Sequence, residues 1–130
     1  MEAIEALANR LSTFVAARDW EQFHTPKNLA MALAGEAGEL VAEFQWLTAE
    51  ESATVMETDP DAARQIRSEL ADVVIYLVRL ASVLEIDLVD AAHTKIDKNE
   101  LRYPVHEYHG SARKAPHVAH GIADTAQQDQ

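Results

Sequence analysis

Apolar residues return every three or four positions along most of the chain, a spacing that predicts helices. Ile4, Leu7, Leu11 and Phe14 form one apolar stripe on a first helix running from about Glu2 to Arg18. Asp19 to His24 reads as a connecting turn. Thr25-Pro26 then has the form of a helix start: a threonine N-cap and a proline whose missing N–H is not needed in the first turn. The second helix, carried to about Leu47, has a seam at Leu29, Leu33, Leu40 and Leu47. Thr48-x-x-Glu51 has the spacing of a capping box and predicts a short extra helix. Asp59-Pro60 opens a helix running to about Glu85. Asp87 caps a last one that stops near Arg102, because Pro104 follows. No stretch alternates as a half-buried strand does.

The helix after Asp59 is apolar on two sides. Ile66, Leu70, Val73, Leu77, Leu80 and Leu84 make a core seam, and Val74, Val78 and Ala81 continue the apolar surface around it. Such a helix is either central or covered by another subunit. Asp72 and Arg79 interrupt it. A buried, unpaired charge costs several kcal/mol, so Asp72 requires a partner, and a metal ion or an arginine would serve.

The second helix shows the same conflict. Glu36 and Glu43 fall on the steps of its leucine seam, and Glu39 lies one turn beyond Glu36. Gly35 and Gly38 beside them either admit the close approach of another backbone or mark tight helix packing. If the two helices pack antiparallel, Glu36 and Glu39 can face Glu69 and Asp72. Four carboxylates without histidine or thiolate form a hard-oxygen site, suited to Mg²⁺ with Mn²⁺ as a substitute. Solvated faces and salt bridges are the competing reading of the same pairs. A di-iron bundle fits poorly. Its Glu-x-x-His string occurs as Glu21-x-x-His24 in a turn, and Asp90-x-x-His93 has aspartate where glutamate is usual, on a different helix.

Composition narrows the function classes. The 130 residues suit one domain, and 48% hydrophobic content supplies a core. Twenty-three alanines against four glycines and four prolines favour an all-α chain. With 22 acidic and 11 basic residues the formal charge is -11, which argues against binding a nucleic-acid polymer. The absence of cysteine excludes disulfides, thiolate zinc sites and cysteine nucleophiles. The longest apolar run, Val73 to Val78, cannot span a membrane, and Met1 to Glu5 has no basic start of a signal peptide. A soluble, cytoplasmic protein is expected. From His106 onward the residues are polar and small, without periodicity, so residues 1–104 are expected as the domain and 105–130 as a disordered tail. The tail histidines (His106, His109, His117, His120) could bind a metal opportunistically, and a plain disordered tail is the competing reading.

From about Glu5 to Pro104 the chain resembles the MazG-like all-α nucleoside triphosphate pyrophosphohydrolases, most closely their dCTP-hydrolysing branch. The likeness rests on Arg18-Asp19-Trp20-Glu21-Gln22-Phe23-His24, Pro26-x-Asn28-Leu29, Gly35-Glu36-x-Gly38-Glu39-Leu40 and Phe44-Gln45-Trp46. It continues through Glu69-Leu70-x-Asp72-Val73-x-Ile75-Tyr76-Leu77, Lys95-x-Asp97-x-Asn99 and Arg102-Tyr103-Pro104. The resemblance implies hydrolysis between the α and β phosphates of a nucleoside triphosphate, releasing a monophosphate and pyrophosphate. It implies that Glu36, Glu39, Glu69 and Asp72 hold Mg²⁺, with Glu36 or Glu39 orienting or deprotonating the water. Lys95, Asn99 and Arg102 are then expected on the phosphates, and Tyr103 covers the site or anchors its helix. Trp20, Trp46, Tyr76 and His24 are expected around the base and sugar.

One position departs from the pattern: dCTP-hydrolysing relatives carry histidine where Leu11 stands, which puts cytosine preference in question. The fold expected is a four-helix all-α bundle with a short extra helix and a loose tail, assembled as a homo-oligomer, a tetramer by family habit. The leading activity is a Mg²⁺-dependent pyrophosphohydrolase for dCTP or modified dCTP, serving nucleotide-pool sanitation. A broader or different dNTP pyrophosphohydrolase is the alternative. A non-enzymatic helical adaptor, its carboxylates paired to Arg79 and lysines, is the other.

Overall fold

A computed structural model of the chain describes residues 2–116. They form six α-helices and one short 3₁₀ turn, with no strand among the described residues. The chain divides into two compact units, Met1–Ala91 and Ala92–Gln130.

In the first unit, α1 (Glu2–Ala17) ends in a Schellman turn. Asp19 takes a left-handed conformation, φ 52°, its N–H bonds to the Ala16 carbonyl, and that of Trp20 reaches back to Val15. This cap swings the Trp20 ring onto Phe14, edge to face at 5.7 Å between centroids. The 3₁₀ turn Glu21–Phe23 leads to His24, and α2 (Pro26–Ala42) starts where expected. Thr25 accepts from the Asn28 N–H, and Pro26 fills the first turn. α2 stops five residues short of the expected Leu47. Glu43 and Phe44 donate three residues back and the chain turns into α3 (Ala49–Thr58), whose Thr48/Glu51 capping box is complete. Asp59 caps α4 (Pro60–Val83) through the Ala62 N–H. α4 ends in a second Schellman turn at Glu85, φ 55°.

Helix α4 is the spine of this unit, with α2 laid along it and α1 and α3 on its flanks. The core holds Val15, Leu29, Val55, Ala63, Ile66, Val78 and Ala81. The expected α4 seam is only partly the buried one. Ile66 is buried, but Leu70, Leu77 and Leu84 are exposed and line up with exposed Val74 as a bare apolar stripe. From Ile66 the buried face runs through Ala63, Glu69, Val78 and Ala81, the side of α4 that meets the neighbouring helices. Gly35 and Gly38 are not sites of close approach within this chain: a Cβ at either would meet nothing within 4 Å. No described helix is long and apolar enough to cross a membrane.

Helix α5 (Leu88–Arg102) begins with Asp87 accepting from the Asp90 N–H. In the second unit a short helix, α6 (Val105–Tyr108), follows Pro104. The segment after it is tied back: the Arg102 Nη2 donates to the Ala115 carbonyl at 2.8 Å, and the Ala115 N–H donates to the Tyr103 hydroxyl at 3.2 Å. Ala115 is buried. Residues 105–116, expected to be loose, thus include a helical turn and a latch. His117, His120 and the rest of the expected tail lie outside the described residues.

Candidate active site

Glu36 on α2 and Glu69 and Asp72 on α4 bring one carboxylate oxygen each within 4.8 Å of one another. The local causes are simple. Glu69 and Asp72 are one turn apart and project from one side of α4, and the long α2–α4 contact carries Glu36 to them. Glu69 is buried, while Glu36 and Asp72 are half-buried. Gln65, one turn before Glu69, donates through Nε2 to its Oε1 at 2.6 Å. The other oxygen of Glu69 and the Oε2 of Glu36 are buried without any hydrogen-bond partner.

The electrostatics are those of a cluster lacking counter-charge. Burial pushes the Glu36 carboxyl above the usual carboxylate range. The charge and hydrogen bonding of Glu39 beside it push the same way, followed by the charges of Asp72 and Glu69. Among the described residues the ion pairs are Arg64–Asp61 and His106–Glu107, and neither involves this cluster. Glu39 is exposed and stands outside the tight trio, at the side of Glu36. Partnerless buried carboxylate oxygens of this kind fit a hard divalent cation, whose oxygen ligands they would supply.

Next to the cluster, α1, the Trp20–His24 turn and α4 enclose a cavity of about 440 Å³. Trp20, His24, Asp72, Tyr76 and Arg79 line it, with Leu11 and Arg10 from α1. Asp72 therefore belongs both to the carboxylate cluster and to the cavity wall. Arg79 is buried and bonds no carboxylate of the cluster. Its Nε donates to the His24 Nδ1 at 3.1 Å and its Nη1 to the Ser12 Oγ at 3.4 Å. The pairing that the adaptor reading required of Arg79 is thus absent among the described residues.

The remaining expected site residues are placed differently. Trp46, in the turn after α2, is 87% exposed and does not line the Trp20 cavity. Lys95, Asn99, Arg102 and Tyr103 lie in the second unit. There Arg102 and Tyr103 hold Ala115, and the Arg102 Nε is buried without a partner. Gln65, Arg10 and Ser12 had no place among the expected site residues, and Arg79 entered only as an anomaly. Gln65 was visible as an amide one helical turn before an acid in an apolar setting. Arg79 was visible as the lone base on an apolar face, but its partners lie 55 and 67 residues away.

Comparison with known proteins places this geometry in context. The profile of the MazG-like family matches residues 32–117. The dCTP pyrophosphatase 1 of Bos taurus is 43% identical over 124 residues, covering 95% of this chain and 73% of the bovine protein. The dCTP pyrophosphatase 1 of Homo sapiens is 43% identical over 118 residues, covering 91% and 69%. The crystal structure of a pyrophosphatase from Archaeoglobus fulgidus superposes with a TM-score of 0.72 at 38% identity. That match covers 80% of this chain and 94% of the archaeal one.

Proposed function

This chain belongs to the MazG-like family, and from that premise we propose that it is a Mg²⁺-dependent nucleoside triphosphate pyrophosphohydrolase. It cleaves between the α and β phosphates, with dCTP or a modified dCTP as the leading substrate. The observation that carries this reading is Asp72, shared between a carboxylate cluster without counter-charge and a cavity walled by Trp20, His24 and Tyr76. Polyphosphate and nucleoside thus have adjoining places.

Glu36, Glu69 and Asp72, with Glu39 at the rim, would hold the ion. A divalent cation held by them would supply charge to offset that of the phosphates and to make a water more acidic. Without it the carboxylates would repel the triphosphate. Gln65 fixes the Glu69 carboxylate, so one ligand is set before substrate arrives. Glu36, in the cluster with Glu39 at its side, would orient or deprotonate the attacking water. Exposed Glu39 beside it can pass that proton to solvent. As the water oxygen bonds to phosphorus, the bridging P–O bond breaks and pyrophosphate leaves.

Trp20 supplies a flat face, already steadied by Phe14, against which a base can stack for roughly 1–3 kcal/mol. Tyr76, one turn after Asp72, offers a hydroxyl or an edge on the same wall. Lys95, Asn99 and Arg102 are the proposed phosphate contacts, spaced along one face of α5. Trp46 is proposed to close over the base.

The bare α4 stripe of Leu70, Val74, Leu77 and Leu84 supports a homo-oligomer, proposed as a tetramer. A second reading of base preference has its own observation: Leu11 lines the nucleoside cavity and offers no hydrogen bond there. That favours a broader or different dNTP range within the same chemistry. Under either reading the proposed setting is nucleotide-pool sanitation in the cytoplasm. Pyrophosphate release with Mg²⁺ across standard and modified dNTPs and NTPs tests both. Turnover concentrated on cytosine nucleotides supports the first reading, and comparable turnover across bases supports the second. No release from any nucleotide would contradict both.

A further inference from the structure

Arg79 is a buried guanidinium with no carboxylate beside it among the described residues, an arrangement that demands neutral acceptors. It finds two: Ser12 Oγ and His24 Nδ1. A ring nitrogen that accepts a hydrogen bond carries no proton, so the proton of neutral His24 sits on Nε2. Burial of the ring, and then the guanidinium beside it, also oppose its protonation. His24 lines the cavity, as do Arg79 and Arg10. The polar atoms these three side chains have left to offer are therefore N–H donors.

We infer that Arg79 is a positioning residue for substrate recognition: its Nε–H bond to Nδ1 fixes His24 as an Nε2–H donor, so that His24 takes the nucleoside through a hydrogen-bond acceptor. A carbonyl oxygen or unprotonated ring nitrogen of the base, or a sugar oxygen, meets that requirement; an N–H or N–H₂ group does not. Ser12 holds the far end of the guanidinium, so a residue of α1 takes part in setting the tautomer of a histidine beyond the next turn. The inference rests on the nucleotide reading for its ligand, but the Arg79–His24 link stands on geometry alone.

The test separates the two. Long-range ¹H–¹⁵N correlation spectra of the full chain without nucleotide, at pH 7.5, read the His24 tautomer directly. An Nδ1 shift typical of an unprotonated acceptor, with Nε2 protonated, is expected. An Nδ1–H tautomer or an imidazolium would overturn the inference whatever the enzyme does. Kinetics then follow Arg79→Met, His24→Ala and the double variant on the preferred nucleotide. Arg79→Met is expected to raise KM roughly tenfold with kcat nearly unchanged, the loss of one neutral hydrogen bond from the His24 ring in uniform binding. In the His24→Ala background the same substitution should add little, because its effect passes through the ring. An equal further rise in KM there would overturn the positioning role. If Arg79→Met does not fold, Arg79→Leu takes its place in the cycle with the same two outcomes. Absence of pyrophosphate release by the unaltered chain would defeat the nucleotide reading and leave the spectroscopic result as the judge of the link.

Discussion

Gln65 donates to Oε1 of Glu69 at 2.6 Å and leaves the second oxygen of that carboxylate buried and without a partner. An amide one turn away thus fixes the orientation of an acid whose second oxygen has lone pairs left for a ligand. Removing such an outer partner weakens metal binding about 10–100-fold in comparable sites. Gln65→Ala is therefore expected to raise the Mg²⁺ concentration for half-maximal activity by at least tenfold, with helicity by circular dichroism unchanged. An unaltered Mg²⁺ dependence would make Gln65 a surface residue only.

The proton affinity of Glu36 gives a pH prediction with a definite sign. Its folded pKa is raised above the ordinary 4.5 by burial and by the neighbouring acids. The contribution to stability is then fully present below 4.5 and is lost as pH rises through the folded value. In EDTA, Tm should fall as pH climbs above 4.5, and Glu36→Gln should flatten that fall. Saturating Mg²⁺ should reverse it by mass action. A Tm that rises over this range equally in both proteins would contradict the assignment.

Trp46 is almost wholly exposed, so its ring adds little to the fold of this chain. Trp46→Ala should shift stability by less than about 0.5 kcal/mol. If the ring closes over the base, the same change should raise KM severalfold with a smaller effect on kcat. Unchanged KM would leave the tryptophan to a subunit contact, visible as a change in oligomeric mass.

The latch after α6 makes truncation informative. Ending the chain at Pro104 removes buried Ala115 and its bonds to Arg102 and Tyr103. A loss of about 2 kcal/mol is expected, from two hydrogen bonds at their usual net worth. Tyr103→Phe, which removes one of them, should cost about half as much by chemical denaturation. A truncated chain as stable as the parent would restore the loose-tail expectation for residues 105–116.

Much of this architecture was legible in the sequence because local chemistry wrote it. Thr25-Pro26, Thr48-x-x-Glu51, Asp59-Pro60 and Asp87 each satisfy backbone donors within three residues, and each helix begins where they stand. Acids in leucine seams flagged Glu36, Glu69 and Asp72 for the same local reason. Periodicity could not say which of two apolar α4 faces the chain itself buries, since Leu70 and Leu77 are as hydrophobic as Ile66. The seam went to the wrong side at those positions. Arg79 and His24 escaped as a pair because their meeting depends on the packing of α4 against the turn after α1, which no local spacing encodes.

The central claim is that Glu36, Glu69 and Asp72 grip a divalent ion. Mn²⁺ titration followed by electron paramagnetic resonance counts bound ion directly, on the unaltered chain and on Asp72→Asn. Saturable binding that weakens at least tenfold in Asp72→Asn, with Mg²⁺ competing for the same place, is the predicted result. Free Mn²⁺ signal at every concentration, or binding indifferent to Asp72, would contradict it.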